Sequence, residues 1–395
     1  MEIKYFFGGI TMEYHILSFY DEFACKADNC PDTCCIGWKI PLDLPSLASY
    51  QKEKGRLGLR LSFAIRKKDG VYAFNHKASK CPFLDCNQLC QLQREKGPEF
   101  IPRVCRRYPR TFLNFGSFTE VTLQLACPEV SRLFLQHYSD FSMTKRNFSM
   151  TDTLDRFGTN DDFHFLNQLA FSRDVLVHWL RDQGFSWEIT SGMLVSYGRL
   201  AQNACIAGDF SFFDQTDLSL LFTEAPDDYA FSIDGKATDL LITSGLYHPK
   251  LSSRMPLLYK LCRRYFKTYD SMSAQEATLY FSTQKKKLWD TYPQYKLLFR
   301  SYFIYYVDCS FLLCFENYSF LRILTQGLIH THLLMLFATL YLEEFGSLEE
   351  SDMAKLISTY EKRARHNEDI LSIMYDRIYP FLPTFSDSAD TWPAK

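Results

Sequence analysis

The sequence predicts a mainly α-helical protein, in which a small, cysteine-rich, metal-stapled N-terminal domain with a few strands precedes a larger all-helical domain. Three observations predict it. Nine of the 13 cysteines (Cys25, Cys30, Cys34, Cys35, Cys81, Cys86, Cys90, Cys105 and Cys127) fall between positions 25 and 127. A polar, turn-rich stretch, SDFSMTKRNFSMTDTLDRFGTNDD, follows that region. Beyond it, apolar residues recur at spacings of three and four, the period of an amphipathic helix. The expected division is a cysteine-rich domain at 14–138, a linker at 139–161 and a helical domain at 162–395. With 395 residues the chain has room for two or three domains of roughly 150 residues.

The elements follow in order. A helix is expected from Asp43 to about Arg66 on Leu44, Leu47, Ala48, Leu59 and Leu61, interrupted at Gly55 and Gly58. Val71–Phe74 and Phe118–Leu125 alternate or are β-branched, as strands are. Asp161 or Asp162 caps a helix carrying Leu166, Leu169, Ala170, Arg173, Leu176, Val177 and Leu180, which ends at Gly184. Another covers Trp187 to Cys205, and Pro226 to Ala237 is a polar break. From Arg254 onward nearly everything reads as helix. Ser347-x-x-Glu350 forms a capping box leading into Met353, Leu356, Ile357, Tyr360 and Ala364, with Pro380 at the far end.

Composition narrows the function classes. Hydrophobic content of 47% and charged content of 23% exclude a disordered or low-complexity chain. With 44 Lys+Arg against 46 Asp+Glu, the net charge of −2 sets up no global field for nucleic acid or an anionic membrane. Ile323–Leu342 lacks Asp, Glu, Lys and Arg, but Thr325, Gln326, His330, Thr331 and His332 fit a buried core helix better than a membrane span, so no stable membrane insertion is expected. His330 and His332 lie about 200° apart around a helix and cannot both face one metal; they read as core or groove-lining histidines. The N-terminus lacks the charged and apolar regions of a secretory signal, so a cytoplasmic location is expected, where thiols stay reduced.

In that compartment a cysteine cluster points to metal binding or catalysis rather than disulfides, and the adjacent pair Cys34-Cys35 would strain a disulfide framework. The first group is Cys25-x4-Cys30-x3-Cys34-Cys35. The second is Cys81-Pro-Phe-Leu-Asp-Cys86-x3-Cys90, followed by Cys105 and Cys127-Pro-Glu. No pair has the C-x2-C spacing of zinc knuckles. The C-x3-C-x2-C run of radical S-adenosylmethionine enzymes is absent too, since Gly37 and Gln93 stand where its third cysteine would be. An iron–sulfur cluster needs four thiolates and leaves their spacing to the fold, so iron–sulfur, zinc, and buried thiols without metal all stay open. Arg103, Arg106, Arg107 and Arg110 surround Cys105 without an acid, and are expected to stabilise thiolate charge or to hold a carboxylate.

The order Phe23-x-Cys25, Cys30-x3-Cys34-Cys35-x2-Trp38, Cys81-Pro-Phe-Leu, Leu89-Cys90, Pro102-Arg103-x-Cys105-x2-Tyr108-Pro-Arg110 and Cys127-Pro-Glu129 resembles the bacterial flagellin lysine-N-methylase family, over residues 14 to 130. The resemblance implies methyl transfer from S-adenosylmethionine to surface lysines of flagellin. It also implies an N-terminal metal centre, 4Fe-4S with zinc as the alternative, held by cysteines among Cys25, Cys30, Cys34, Cys35, Cys81, Cys90, Cys105 and Cys127. Cys86 falls outside the pattern and is set aside as a non-ligand, and Met12 is a candidate functional start. The rival reading is a non-enzymatic or electron-transfer metal protein whose helical domain binds a protein partner.

A methyl donor would need a site of its own. No strand, glycine-rich turn and helix of the dinucleotide-binding kind is present. A sulfonium cation calls for aromatic faces with a carboxylate, which Tyr302, Tyr305, Tyr306, Asp308, Phe311 and Glu316 offer on one candidate helix, although a core would show the same stripe. The basic run Arg254, Lys260, Arg263, Arg264 and Lys267, the run Lys285-Lys286-Lys287 and the acidic pairs Glu343-Glu344 and Glu349-Glu350 read as solvated faces or caps.

Overall fold

A computed structural model of the chain describes residues 13–36, 40–68, 70–75, 80–147, 154–249, 252, 255–365 and 368–385. Met12, Trp38 and Arg254 lie outside the described residues. The first strand, β1 (Glu13–Leu17), leads into the cysteine-rich segment. Asp43 then caps α1 (Leu44–Lys52), accepting from Ser46 N–H at 2.9 Å. The single helix expected to Arg66 is instead α1 and α2 (Gly55–Ala64), followed by the hairpin of β2 (Ile65–Lys68) and β3 (Val71–Phe74). The break is steric. Gly55 takes a φ of +68°, and a Cβ on Gly58 would sit 2.3 Å from the Glu53 carbonyl oxygen.

After α3 (Gln91–Lys96) and α4 (Arg103–Arg107), β4 (Arg110–Asn114) and β5 (Phe118–Leu123) return to β1, and α5 (Pro128–His137) follows. The sheet is completed by β6 (Met143–Asn147), in the order β4-β5-β1-β6. That strand lies within the stretch expected to be a linker. Its Met-Thr-Lys-Arg-Asn sequence reads as polar loop, but it pairs antiparallel with β1 and puts Lys145 and Arg146 on the sheet edge, where charge discourages further pairing. Phe118–Leu123 is buried at all six positions because both faces of the sheet are covered.

The helical part comprises α6 (Phe163–Asp182), α7 (Trp187–Ala207), α8 (Gly235–Leu241), α9 (Pro256–Tyr269), α10 (Ala274–Thr291), α11 (Tyr295–Ser310), α12 (Phe320–Phe345), α13 (Glu350–Ala364) and α14 (Glu368–Ile378). Asp162 caps α6 through Phe165 N–H at 3.0 Å. Gly198 lets α7 close on α12, for a Cβ there would lie 2.9 Å from Leu321 Cα. The expected box at Ser347 and Glu350 is shifted: α13 is capped by Glu349, whose N–H donates to Asp352 at 3.2 Å. Leu348 decides this, since it is fully buried and pinned by the hydroxyls of Tyr292 and Tyr295. The helix also stops at Ala364, and α14 is a separate element.

Among the described residues, two helical stretches, Tyr295–Asn317 and Phe320–Phe345, are long and apolar enough to cross a membrane, and the apolar windows are 78% and 100% buried inside the protein. The apolar cores part along a line that differs from the 14–138 and 162–395 division. One core runs from Tyr14 to Phe385 and joins the β4-β5-β1-β6 sheet to the helices. The other holds Ile40, Leu47, Tyr50, Leu61, Phe74, Phe83, Leu92 and Ile101, and defines a small lobe inserted between β1 and β4.

Candidate functional site

Sheet topology brings distant cysteines to one place. Because β1 runs parallel to β5, their C-terminal ends meet at the same edge, and the chain leaves that edge toward Cys25 in one case and Cys127 in the other. Because β4 is antiparallel to β5, with Arg110 opposite Leu123, α4 and its Cys105 enter from the same end. The small lobe supplies the rest. Cys81 N–H donates to the Cys35 carbonyl at 2.9 Å, Ile36 bridges to Lys80, and Leu84 bridges to Cys90.

Cys34 is the hub. Its charge is felt by Cys30, Cys35, Cys81, Cys90, Cys105 and Cys127, and Cys25 acts on Cys30. Six of the expected thiols thus lie within electrostatic reach of Cys34 and Cys25 within reach of Cys30, while the Cys86 thiol is exposed and 3.9 Å from Asn87 Oδ1. Burial pushes the Cys81 and Cys127 thiols up to about 11, and drives Cys105 upward, with Cys81, Cys34 and Cys90 adding to the effect. The Cys34 thiol is brought down to about 7 by a hydrogen bond from Cys35 and by the charge of Lys362. Backbone N–H groups at the starts of α3 and α5 donate to Cys90 and Cys127, which favours their thiolates.

Of the two roles expected for the arginines around Cys105, Arg103 takes the second and holds a carboxylate. Arg103 binds Asp155 at 2.9 Å, Arg106 donates to the Glu99 carbonyl at 2.9 Å, Arg107 lies over Phe112, and Arg110 lies over Tyr20 and Phe23. A cation at the cluster is Lys362 of α13, bonded to the Asp32 carboxylate and to the Thr33 carbonyl at 2.9 Å. It lies 330 positions beyond its partner, and no local signal marks it.

The donor chemistry of these thiols is that of a soft-metal centre: several buried sulfurs that raise one another, with N–H groups aimed at two of them. Among the described residues, no three His, Cys, Asp or Glu side chains stand close enough to hold a metal ion. The fit is therefore one of donor type and grouping, not of ligand geometry.

The aromatic stripe on α11 belongs to the core. Tyr302 donates to Glu361, Tyr305 donates to the Leu123 carbonyl, and Asp308 faces the fully buried Arg173. Glu316 accepts from Thr159 and Asn160 N–H at 3.0 Å and so fastens the segment ahead of α6. The basic run on α9 is also partnered, with Lys260 3.0 Å from Glu344 and Arg264 3.4 Å from Glu343. Of the two histidines, His330 is a core residue bonded to Tyr360 at 2.8 Å, and His332 lines a cleft with Trp187, Glu188, Phe231, Phe281 and Lys285.

The chain is similar to the flagellar biosynthetic protein FliU of Salmonella muenchen, with 29% identity over 148 residues, 35% of this chain and 88% of that protein. It is similar as well to the lysine-N-methylases of Salmonella typhimurium and Salmonella choleraesuis, with 28% identity over 136 residues in each. Those matches cover 33% of this chain and 34% of the methylases, so the chain spans about a third of the length of these relatives. No family model matches the chain, and no solved structure does.

Proposed function

We propose that this protein is an S-adenosylmethionine-dependent protein-lysine N-methyltransferase of the cytoplasm, that flagellin is its substrate, and that Cys25, Cys30, Cys34, Cys35, Cys81, Cys90, Cys105 and Cys127 supply the ligands of an iron–sulfur centre. The observation that carries the reading is the gathering of six thiols around Cys34, with Cys25 beside Cys30, in a chain similar to proteins named lysine-N-methylase and FliU. Thiols that raise one another gain stability once a cation binds them as thiolates, which is the chemical reason to gather them. The methyl donor supplies an electrophilic methyl group. The protein's part is to bind the acceptor lysine uncharged and to exclude water, since a protonated amine has no lone pair to accept a methyl group.

Two measurements test this. Full-length protein purified without oxygen, incubated with isotope-labelled S-adenosylmethionine and flagellin, should place label on lysine ε-nitrogens, read by peptide mass spectrometry. Absence of methyl-lysine overturns the enzymatic reading in favour of a metal-binding partner protein. Iron and sulfide near four each per chain support the 4Fe-4S assignment. Zinc in their place moves the centre to a structural one. Full metal content in both Cys34→Ser and Cys105→Ser would sink the ligand set.

A further inference from the structure

The small lobe carries a surface that neither the thiol cluster nor the helical body uses. Among the described residues, four of the large apolar side chains left in water, Leu44, Leu59, Phe63 and Val71, fall in the one stretch from α1 to β3, with Leu44 76%, Leu59 65% and Phe63 72% exposed. Exposed apolar residues scattered singly need no account, but a group of them marks a contact surface. The helix period arranges two of them. On α2, Leu61 and Ala64 turn to the core of the lobe, whereas Arg56, Leu59 and Phe63 stand at i, i+3 and i+7 on the water-facing side. The backbone brings the other two toward each other. Leu42 N–H donates to the Tyr72 carbonyl at 2.8 Å, and Leu44 and Val71 lie just beyond that bond at the same end.

The charge beside these side chains is of one sign. From Lys52 to Lys68 the chain holds seven Lys and Arg against Glu53 alone, and Glu53 is taken by Lys96 at 2.9 Å. Arg60 is turned to Gln91 at 2.6 Å. The other six, Lys52, Lys54, Arg56, Arg66, Lys67 and Lys68, are exposed and form no ion pair among the described residues. A net charge of −2 for the whole chain conceals this local field.

We propose that the lobe docks on an anionic phospholipid surface, with Leu59 and Phe63 of α2 pressed between the headgroups and the unpaired Lys and Arg of α2, its approach and β2 against the lipid phosphates. Such a surface is anionic outside and apolar beneath, which is the complement of a water-facing helix that carries Leu and Phe beside unpaired cations. Other partners match these residues less closely. Leu44, Leu59 and Val71 have no ring to stack on bases, and lysine, which supplies four of the six unpaired cations, is depleted in protein–protein interfaces. The contact lays one face on the bilayer and needs no membrane span, so it is compatible with the burial of Phe320–Phe345 inside the protein. It rests neither on methyl transfer nor on a metal at the thiols.

The test is sedimentation of the full chain with vesicles of phosphatidylcholine alone and of phosphatidylcholine mixed equally with phosphatidylglycerol. Binding should require the anionic lipid and weaken as salt is raised. Lys67→Gln and Lys68→Gln should each weaken it about fivefold, and Phe63→Gln about tenfold. All three side chains are exposed, so the variants keep the fold. Lys260→Gln on α9, whose ammonium is already paired with Glu344, should change nothing. On the anionic vesicles, amide hydrogen exchange should slow across residues 55–68. Failure to bind them at low salt overturns the proposal, as does binding that all three variants leave intact. Loss with the lysine variants but not with Phe63→Gln shows electrostatic adsorption alone and overturns the seating of α2. A dimer that Phe63→Gln dissolves, or tighter binding of single-stranded RNA than of anionic vesicles, assigns the face to a second copy or to nucleic acid and overturns it as well.

Discussion

Arg173 is a fully buried cation on α6, and its neighbours show how individual residues set the pH response of this fold. Glu120 of β5 pairs with it, and Asp308 of α11 lies 4.0 Å away. Removing one member of such a group leaves an uncompensated charge, so Glu120→Ala should cost about 3–5 kcal/mol in urea unfolding. Burial raises Asp308 to about 7, against the pull of Arg173 and with Glu120 and Asp174 adding to it. A carboxyl whose folded pKa is raised holds its proton in the native state. Its contribution is complete below pH about 3.8 and is lost as pH rises through about 7. Asp308→Asn should remove that decline from the stability profile. His330 runs the other way: burial and Arg365 bring it down to about 3, so its contribution is present above about 6.5 and lost as pH falls through 3. His330→Gln should blunt acid unfolding in that window, and an unchanged profile would exclude His330 as a cause.

Among elements, the contacts that matter are those between segments far apart in the chain. Lys362 of α13 fastens the loop carrying Cys34 and Cys35 through Asp32 and Thr33. Lys362→Met should raise amide hydrogen exchange across Asp32–Cys35, at a cost of about 1.5–3 kcal/mol for a charged hydrogen bond. Unaltered exchange there would show that the loop is held by other means. At the crossing of α7 with α12, Gly198→Ala forces a methyl group to within 2.9 Å of Leu321 Cα. The helices must part, and thermal unfolding should register about 1–3 kcal/mol. How much was legible varied with the kind of signal. The cap at Asp162, the helices at 163–182 and 187–207 and the strand at Phe118 announce themselves through period and capping chemistry. The strand Met143–Asn147 does not, because an edge strand exposed to water carries no hydrophobic alternation.

For the whole molecule, two apolar cores of unequal size imply two levels of stability. The lobe built on Ile40, Tyr50, Phe74, Phe83 and Ile101 has a small core, and the thiols Cys81, Cys90 and Cys105 lie in it or against it. Small cores depend on additional staples, so residues 40–105 should open at lower denaturant than the body that joins the sheet to α6–α14. If a metal binds there, chelation should lower the first transition and leave the second in place, since a ligand stabilises the unit that holds it. A single transition, unaffected by chelation, would show one cooperative unit without a metal staple.

The sequence by itself determined that this chain is mostly helix with its cysteines concentrated near one end, and which eight of those cysteines a shared pattern sets apart from Cys86. Local periodicity, capping residues and spacing are written along the chain, and these features depend on nothing else. Only the tertiary structure decided that a parallel pairing of β1 with β5 draws Cys25, Cys105 and Cys127 to one edge. The same holds for Lys362 as a cation at the thiols, and for His332 as a cleft-lining residue while His330 is sealed in the core. Each of those depends on which faces meet across hundreds of residues, and the packing of one core against another is a property of the whole chain that no window of sequence contains.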